Sequence, residues 1–134
     1  MKRRLAWAAA AVLLLAYPAT TLVYVYSHTI RAGLAGSRHG PSDAYRHALA
    51  SAFVACTLSP RVVDWATAVM EGDDVTNRMD RHNNAIGAVI GAQAASLAEM
   101  QQRVLAAVRA GRVHATDPEQ VTWLPPRSWR SLPF

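Results

Sequence analysis

Residues 41–58 read PSDAYRHALASAFVACTL, a polar cluster followed by an alanine-rich apolar run. Residues 79–91 repeat that order with the sequence MDRHNNAIGAVIG. The apolar residues of both stretches have helical spacing, so both stretches are predicted to be α-helices. Ionisable residues are seldom buried unless they are paired or bound to something. Two such clusters in so short a chain therefore favour a functional site over solvated surface.

The polar residues of each stretch fall on one face of its helix. At about 100° per residue, Asp43 and His47 lie within about 40° of each other, and small or apolar residues continue their stripe. Asp80 and Asn84 have the same relation on the later helix, where two glycines continue the stripe. Each helix is therefore expected to carry a polar patch near its beginning and a smooth, small-residue surface after it.

These two faces are predicted to meet inside the protein. Short connections make successive helices antiparallel neighbours, so the first and third helices of the domain should run parallel. Ala50 would then face Gly87 or Gly91, and these small residues would let the two backbones approach closely. The polar patches of both helices would come together at one end of a helical bundle.

Three kinds of site fit such a convergence. Two carboxylates, an imidazole and an amide form a credible ligand set for one divalent metal ion. Without metal, an Asp–His pair is a general base, and Arg46 or the asparagines would stabilise developing negative charge. The third interpretation is a self-satisfied polar network that fixes helix register and does no chemistry. The metal ligands predicted by the first interpretation are Asp43, His47, Asp80 and Asn84.

The remaining sequence predicts an all-α domain of three to four helices. Residues 60–71 form a short helix that ends at Gly72, and Asp73 or Asp74 caps the next helix. Whether that helix breaks near Ser96 is left open by the pattern, and Gly111 is expected to end the last helix. We therefore assign residues 41–111 to a helical domain and residues 112–134 to a turn-rich tail. The tail mixes Trp, Arg and Pro, which suits a membrane interface, a partner groove or an end that folds back on the bundle.

The N-terminus predicts a membrane anchor. Lys2, Arg3 and Arg4 precede a run without charge that extends from Leu5 to Val25, and about 20 apolar residues suffice to span a bilayer. The basic residues place the N-terminus in the cytoplasm and the rest of the chain in the periplasm or outside the cell. A cleaved signal peptide, which would make the protein secreted, is the alternative. Residues 1–26 are thus a signal anchor or signal peptide, and residues 27–40 a flexible tether.

Charge argues against a nucleic-acid partner. The net charge is +5, but removing the three N-terminal cations leaves +2, and removing Arg127 and Arg130 of the tail leaves zero. The folded part therefore has no basic footprint for nucleic acid. The single cysteine, Cys56, excludes an intrachain disulfide and is predicted to be a small core residue.

The two clusters also resemble the motifs of a small bacterial domain family of uncharacterised function. The sequence Gly40-Pro41-Ser42-Asp43-Ala44-Tyr45-Arg46-His47-Ala48 is similar to that family's G-P-x-D-A-x-R-H-A, and residues 79–87 are similar to its M-D-x-H-N-N-x-x-G. Members of the family occur alone and at the ends of larger secreted, toxin-like proteins. The resemblance covers about residues 40–91 and implies a helical domain and an exported setting. The site residues it implies are Asp43, Arg46, His47, Asp80, His82, Asn83 and Asn84, although the helical periodicity directs His82 away from Asp80.

Two functions follow as hypotheses. The first is a membrane-anchored, periplasm-facing hydrolase, metal-assisted, that acts on envelope material such as lipid or peptidoglycan. In it, Asp43, His47 and Asp80 bind the metal or activate water, while Arg46 and Asn84 hold an anionic group. The second is a non-catalytic, single-span envelope protein whose bundle binds a partner, with the polar clusters as internal struts.

Overall fold

The protein is mostly helical, as a computed structural model that describes residues 1–69 and 74–130 shows. The predicted all-α class is confirmed, apart from two strands of two residues each. These strands, β1 (Arg112–Val113) and β2 (Thr122–Trp123), pair in parallel, and a short 3-10 turn follows. The described residues form five α-helices: α1 (Lys2–Ala32), α2 (Pro41–Thr57), α3 (Pro60–Val69), α4 (Val75–Gln93) and α5 (Leu97–Arg109).

Helices α2 and α4 pack directly backbone against backbone. A Cβ atom added to Gly87 would lie 2.1 Å from the carbonyl oxygen of Ala48, and one added to Gly91 would lie 2.2 Å from that of Ala52. The equal spacing of the two pairs means that α2 and α4 run parallel, as predicted. The predicted contact of Ala50 with a glycine is wrong, because the line of closest approach follows Ala48 and Ala52.

The helix ends follow the capping residues. The Asp74 side chain accepts a hydrogen bond from the Asn77 backbone N–H at the start of α4. The Ser96 side chain accepts one from Glu99 at the start of α5, so the chain does break there. The predicted stop at Gly72, the alternative cap at Asp73 and the last four residues of the tail lie outside the described residues.

The first helix is longer than the sequence predicted. It continues through residues 27–32, which were assigned to the tether, and ends where Gly33 takes a left-handed conformation with φ of 60°. The reason is packing: Val25 is 2% exposed in the core and Thr29 is also buried. Helix α1 therefore joins the bundle along its C-terminal half, and only residues 33–40 form the connection to α2.

The contacts of α1 set its direction relative to α2. The Tyr17 and Thr57 hydroxyls are 2.5 Å apart, the Tyr24 and Phe53 rings are 4.7 Å apart, and the Arg46 guanidinium lies 5.8 Å from the Tyr26 ring centre. As the number rises along α1 it falls along α2, so the two helices are antiparallel. Within α1, the stretch Ala6–Ala32 has a mean hydropathy of 1.8 and is long and apolar enough to cross a membrane.

The tail folds back on the bundle. Val121 is buried in the core, and the backbone N–H of Leu124 donates to the carbonyl of His39 over 2.9 Å. Further along, Arg130 pairs with Arg38 as an isolated antiparallel bridge. The tail thus holds the loop of residues 33–40 against the start of α2.

Candidate functional site

The polar patches of α2 and α4 meet at the end of the bundle where both helices begin. Asp43 lies in the first turn of α2, with His47 one turn later, and Asp80 lies near the start of α4. Because the two helices run parallel in close contact, these side chains converge. One ligand atom from each of Asp43, His47 and Asp80 lies within 4.8 Å of the others. We call these three residues the Asp–His cluster.

Asp43 is the buried and firmly held member, with 3% of its surface exposed. Its Oδ2 accepts a 2.6 Å hydrogen bond from the His39 backbone N–H, and its Oδ1 accepts one from the Arg46 guanidinium. The position in the first turn of α2 also places its charge beside the positive end of the helix dipole. These donors fix the orientation of the Asp43 carboxylate.

His47 lies between the two carboxylates without a close bond to either. Its Nε2 is 3.5 Å from Asp43 Oδ1 and 3.6 Å from Asp80 Oδ2. These separations exceed the usual N–H···O range of about 2.7–3.2 Å. Two ligands that each lie about 2.1 Å from one tetrahedral ion are about 3.4 Å apart. These two separations match the spacing of metal ligands more closely than that of a hydrogen-bonded dyad.

Asp80 is poorly satisfied for a carboxylate. Its Oδ1 is buried and has no hydrogen-bond partner among the described residues. Burial raises the pKa of Asp80, the nearby Asp43 carboxylate raises it further, and His47 opposes the rise. A metal cation beside Asp80 would offset both the burial of its charge and the repulsion from Asp43.

His39, which lies outside both sequence motifs, also lines the pocket at the cluster. It adopts a left-handed conformation with φ of 64°, and its Nδ1 is 3.9 Å from Asp43 Oδ2. That Nδ1 is buried without a hydrogen-bond partner among the described residues. The signal in the sequence is its place directly before Gly40-Pro41, where the loop must turn into the first turn of α2.

Arg46 positions Asp43 and connects it to the loop before α2. One terminal nitrogen of its guanidinium donates to Asp43, and the other donates to the Ser37 carbonyl oxygen over 3.2 Å. Each terminal nitrogen carries a second N–H, and Arg46 lines the same pocket as His47 and Asp80, so its role in holding an anionic group stays a prediction. Arg46 also ties α2 to the loop of residues 33–40.

His82 and Asn83 of α4 bind the tail. The Asn83 side-chain amide donates to the Thr122 carbonyl and accepts from the Thr122 N–H, at 2.8 and 3.0 Å. His82 Nε2 lies 2.8 Å from the Gln120 carbonyl oxygen. Asn83 is fully buried. These two members of the motif therefore hold the fold together and do not join the Asp–His cluster.

Asn84 lines a groove that begins at the cluster. The groove has a volume of about 330 Å³ and lies between α2, α3 and α4. His47, Asp80 and Asn84 form its polar end, while Val54 and Val63 contribute to the apolar remainder. From His47 to Val54 the distance along α2 is about 10 Å. Asn84 thus lies in the same groove as His47 and Asp80, and its predicted role as a metal ligand stays a prediction.

A comparison with protein families places the chain in one of them. Residues 4–112 match the model of a family described as a domain of unknown function, DUF6973. The chain belongs to this family. No curated protein and no solved structure matches the chain.

The extent of the DUF6973 match bears on domain organisation. It begins within α1 and ends at Arg112, so it includes both the apolar helix and all residues of the Asp–His cluster. The apolar helix is therefore part of the DUF6973 domain itself. Strand β2, which binds Asn83, lies beyond the match.

Proposed function

We propose that this protein is a membrane-anchored hydrolase in which the Asp–His cluster binds one divalent metal ion. The observation that carries the proposal is the spacing of three ligand atoms around a common point, with the His47 imidazole 3.5 and 3.6 Å from two carboxylate oxygens. A bound divalent ion would lower the pKa of a coordinated water and so supply a nucleophile at neutral pH. Three protein ligands leave coordination positions for water and substrate.

The surrounding residues have definable tasks in this proposal. Arg46 and the His39 N–H hold Asp43 in a fixed orientation, which is the support that metal ligands need. Asp80 provides the second negative charge that draws the cation into the cluster. Asn84, at the polar end of the groove, is placed to donate hydrogen bonds to a substrate.

The groove favours a lipid among the envelope substrates. A ligand that fits it needs a polar part at His47 and Asp80 and an apolar part along Val54 and Val63. Membrane lipids and their derivatives have this form, whereas a peptidoglycan strand is polar throughout. We therefore propose an amphiphile with a hydrolysable ester or phosphoester as the substrate, reached from the membrane in which α1 is anchored.

Metal content decides the first step of the proposal. The full chain, purified in mild detergent without chelator, should carry one divalent ion per chain by mass spectrometry. Asp80→Ala and His47→Ala should each lose it, while Asp64→Ala, which removes an exposed carboxylate on α3, should keep it. Hydrolysis of a fluorogenic lipid ester should follow metal content.

Absence of metal from the wild type after challenge with zinc, manganese, magnesium and calcium would refute the metal site. The non-catalytic alternative, a single-span protein with a structural polar network, would then take its place. If the protein binds metal but hydrolyses no lipid ester or phosphoester, the metal site is supported and the proposed substrate class is refuted.

A further inference from the structure

The part of α1 that stands free of the bundle is shorter than a bilayer is thick. Before Tyr17 the described side chains of α1 are exposed, and from Tyr17 onward α1 contacts α2. Residues 2–16 extend about 22 Å at 1.5 Å per residue. The hydrocarbon layer of a bilayer is about 30 Å thick, and crossing it takes about 20 residues.

If α1 spans the membrane, the part of α1 that is packed in the bundle has to supply the missing length. Lys2, Arg3 and Arg4 belong in water, so a crossing that starts at Leu5 ends near Tyr24, about 20 residues later. Tyr17 then lies about 10 Å inside the outer edge of the hydrocarbon. Its hydroxyl is 2.5 Å from that of Thr57, the last residue of α2.

We propose that the end of the bundle where α2 turns into α3 is seated in the outer leaflet of the membrane, about 10 Å deep. This inference rests on the proposed anchoring by α1 and goes beyond it, because a single span does not by itself bring a folded domain into the lipid. Interfacial helices commonly bury their apolar faces about 5–10 Å into the boundary between headgroups and acyl chains.

The surface at this end carries exposed apolar side chains, as the proposal requires, together with the exposed Arg61, whose long side chain can extend its charge toward the headgroups. Leu58, Val62 and Trp65 are 55%, 37% and 69% exposed. Periodicity predicts that Val62 is buried in α3, but Val63 is buried and Val62 faces outward. Asp64 lies about 160° around the helix from Val62, away from this apolar face. Exposed apolar patches mark contact surfaces, and a lipid surface would cover this one.

The order of these residues along α3 matches their expected depth. Helix α3 starts beside the end of α2 and leads back toward the start of α4. Leu58 would therefore lie deepest, Val62 higher, and Trp65 closest to the headgroups, where tryptophan is favoured. His47 lies about 15 Å from Thr57 along α2, so the Asp–His cluster would stand about 5 Å outside the hydrocarbon. That is the depth of lipid headgroups.

Spin-label accessibility in vesicles tests the seat. The full chain, in a Cys56→Ala background, is labelled at Val62→Cys, Val75→Cys or Ala10→Cys and reconstituted into phosphatidylethanolamine–phosphatidylglycerol vesicles. Val75 is exposed like Val62 but lies at the start of α4, beside the cluster, and serves as the matched control. Ala10 lies in the free part of α1 and reports on anchoring itself.

If this end of the bundle lies in the membrane, oxygen should reach the label at Val62 well. A water-soluble nickel complex should reach that label several-fold less than it reaches the label at Val75. Equal access of nickel to Val62 and Val75, with Ala10 protected, would overturn the seat and leave the anchor standing. Nickel access at all three positions would overturn both. Protection of Val62 from oxygen and nickel alike would show a protein contact in place of lipid, which also overturns the proposal.

Discussion

Asp80→Asn should stabilise the metal-free protein while it abolishes metal binding. Asp80 has a buried oxygen without a hydrogen-bond partner in the described part of the chain, and it lies beside a second carboxylate. An amide of the same shape removes the repulsion and the desolvation of a charge. Neutralising a charged residue that stabilises the fold lowers stability. Neutralising a metal ligand raises the stability of the metal-free protein, because the repulsion at the empty site is relieved.

The size of the effect follows from the geometry. The relevant atoms of Asp43 and Asp80 lie within 4.8 Å of each other. Two unit charges at that distance repel by about 3.5 kcal/mol at an effective dielectric constant of about 20, and by about 0.9 kcal/mol in bulk water. Arg46 and His47 offset part of this repulsion, so we expect Asp80→Asn to raise the free energy of unfolding by about 1 kcal/mol.

Asp43→Asn should have the opposite effect although it removes the same charge. It weakens the bonds from Arg46 and the His39 N–H, and hydrogen bonds to charged groups contribute about 1.5–3 kcal/mol each. We expect a loss of about 2 kcal/mol. Asp64→Asn, on the exposed side of α3, should change the free energy of unfolding by less than about 0.5 kcal/mol.

Chemical denaturation of the full chain in mild detergent with EDTA measures all three variants, and its pH dependence checks the cause. The pKa of Asp80 is raised, so between the ordinary Asp value and the raised one the native state binds more protons than the unfolded state. Wild-type stability should therefore fall as the pH rises through this window, and the advantage of Asp80→Asn should disappear below it. If Asp80→Asn destabilises the protein as Asp43→Asn does, the cluster is a structural network and the reasoning is wrong.

Two further predictions concern the fold around the cluster. Gly87→Ala should lower the free energy of unfolding by about 2 kcal/mol, even after the better helix propensity of alanine, because its Cβ would lie 2.1 Å from the Ala48 carbonyl oxygen; an unchanged denaturation midpoint would contradict the close packing of α2 on α4. Asn83→Ala should cost about 2–4 kcal/mol by leaving both backbone groups of Thr122 without partners, yet metal stoichiometry should be unchanged, and loss of metal would place Asn83 in the site after all.

Periodicity could predict the arrangement of α2 and α4, because small residues recur at helical spacing and two short connections force a parallel pair. It could not predict which face of α2 meets α4. Ala48 and Ala52 lie about 140° or more around the helix from Asp43, so the stripe through Asp43 and His47 borders the groove and not the line of closest contact. Nor could it divide the second cluster, since the tail that binds Asn83 pairs with it from 39 residues away.

The contrast between satisfied and unsatisfied polar groups in this small core argues for a site. Asn83 is fully buried and makes two hydrogen bonds to the backbone of Thr122, which is how a structural polar residue is expected to look. Asp43 is the member of the Asp–His cluster with short hydrogen bonds to other described residues. Asp80 Oδ1 and His39 Nδ1 are buried without partners among the described residues, and they face the same small space as the His47 imidazole. A network whose role was to fix helix register would provide hydrogen-bond partners for these atoms. Because these residues line one pocket, the unpartnered atoms favour a ligand that they share.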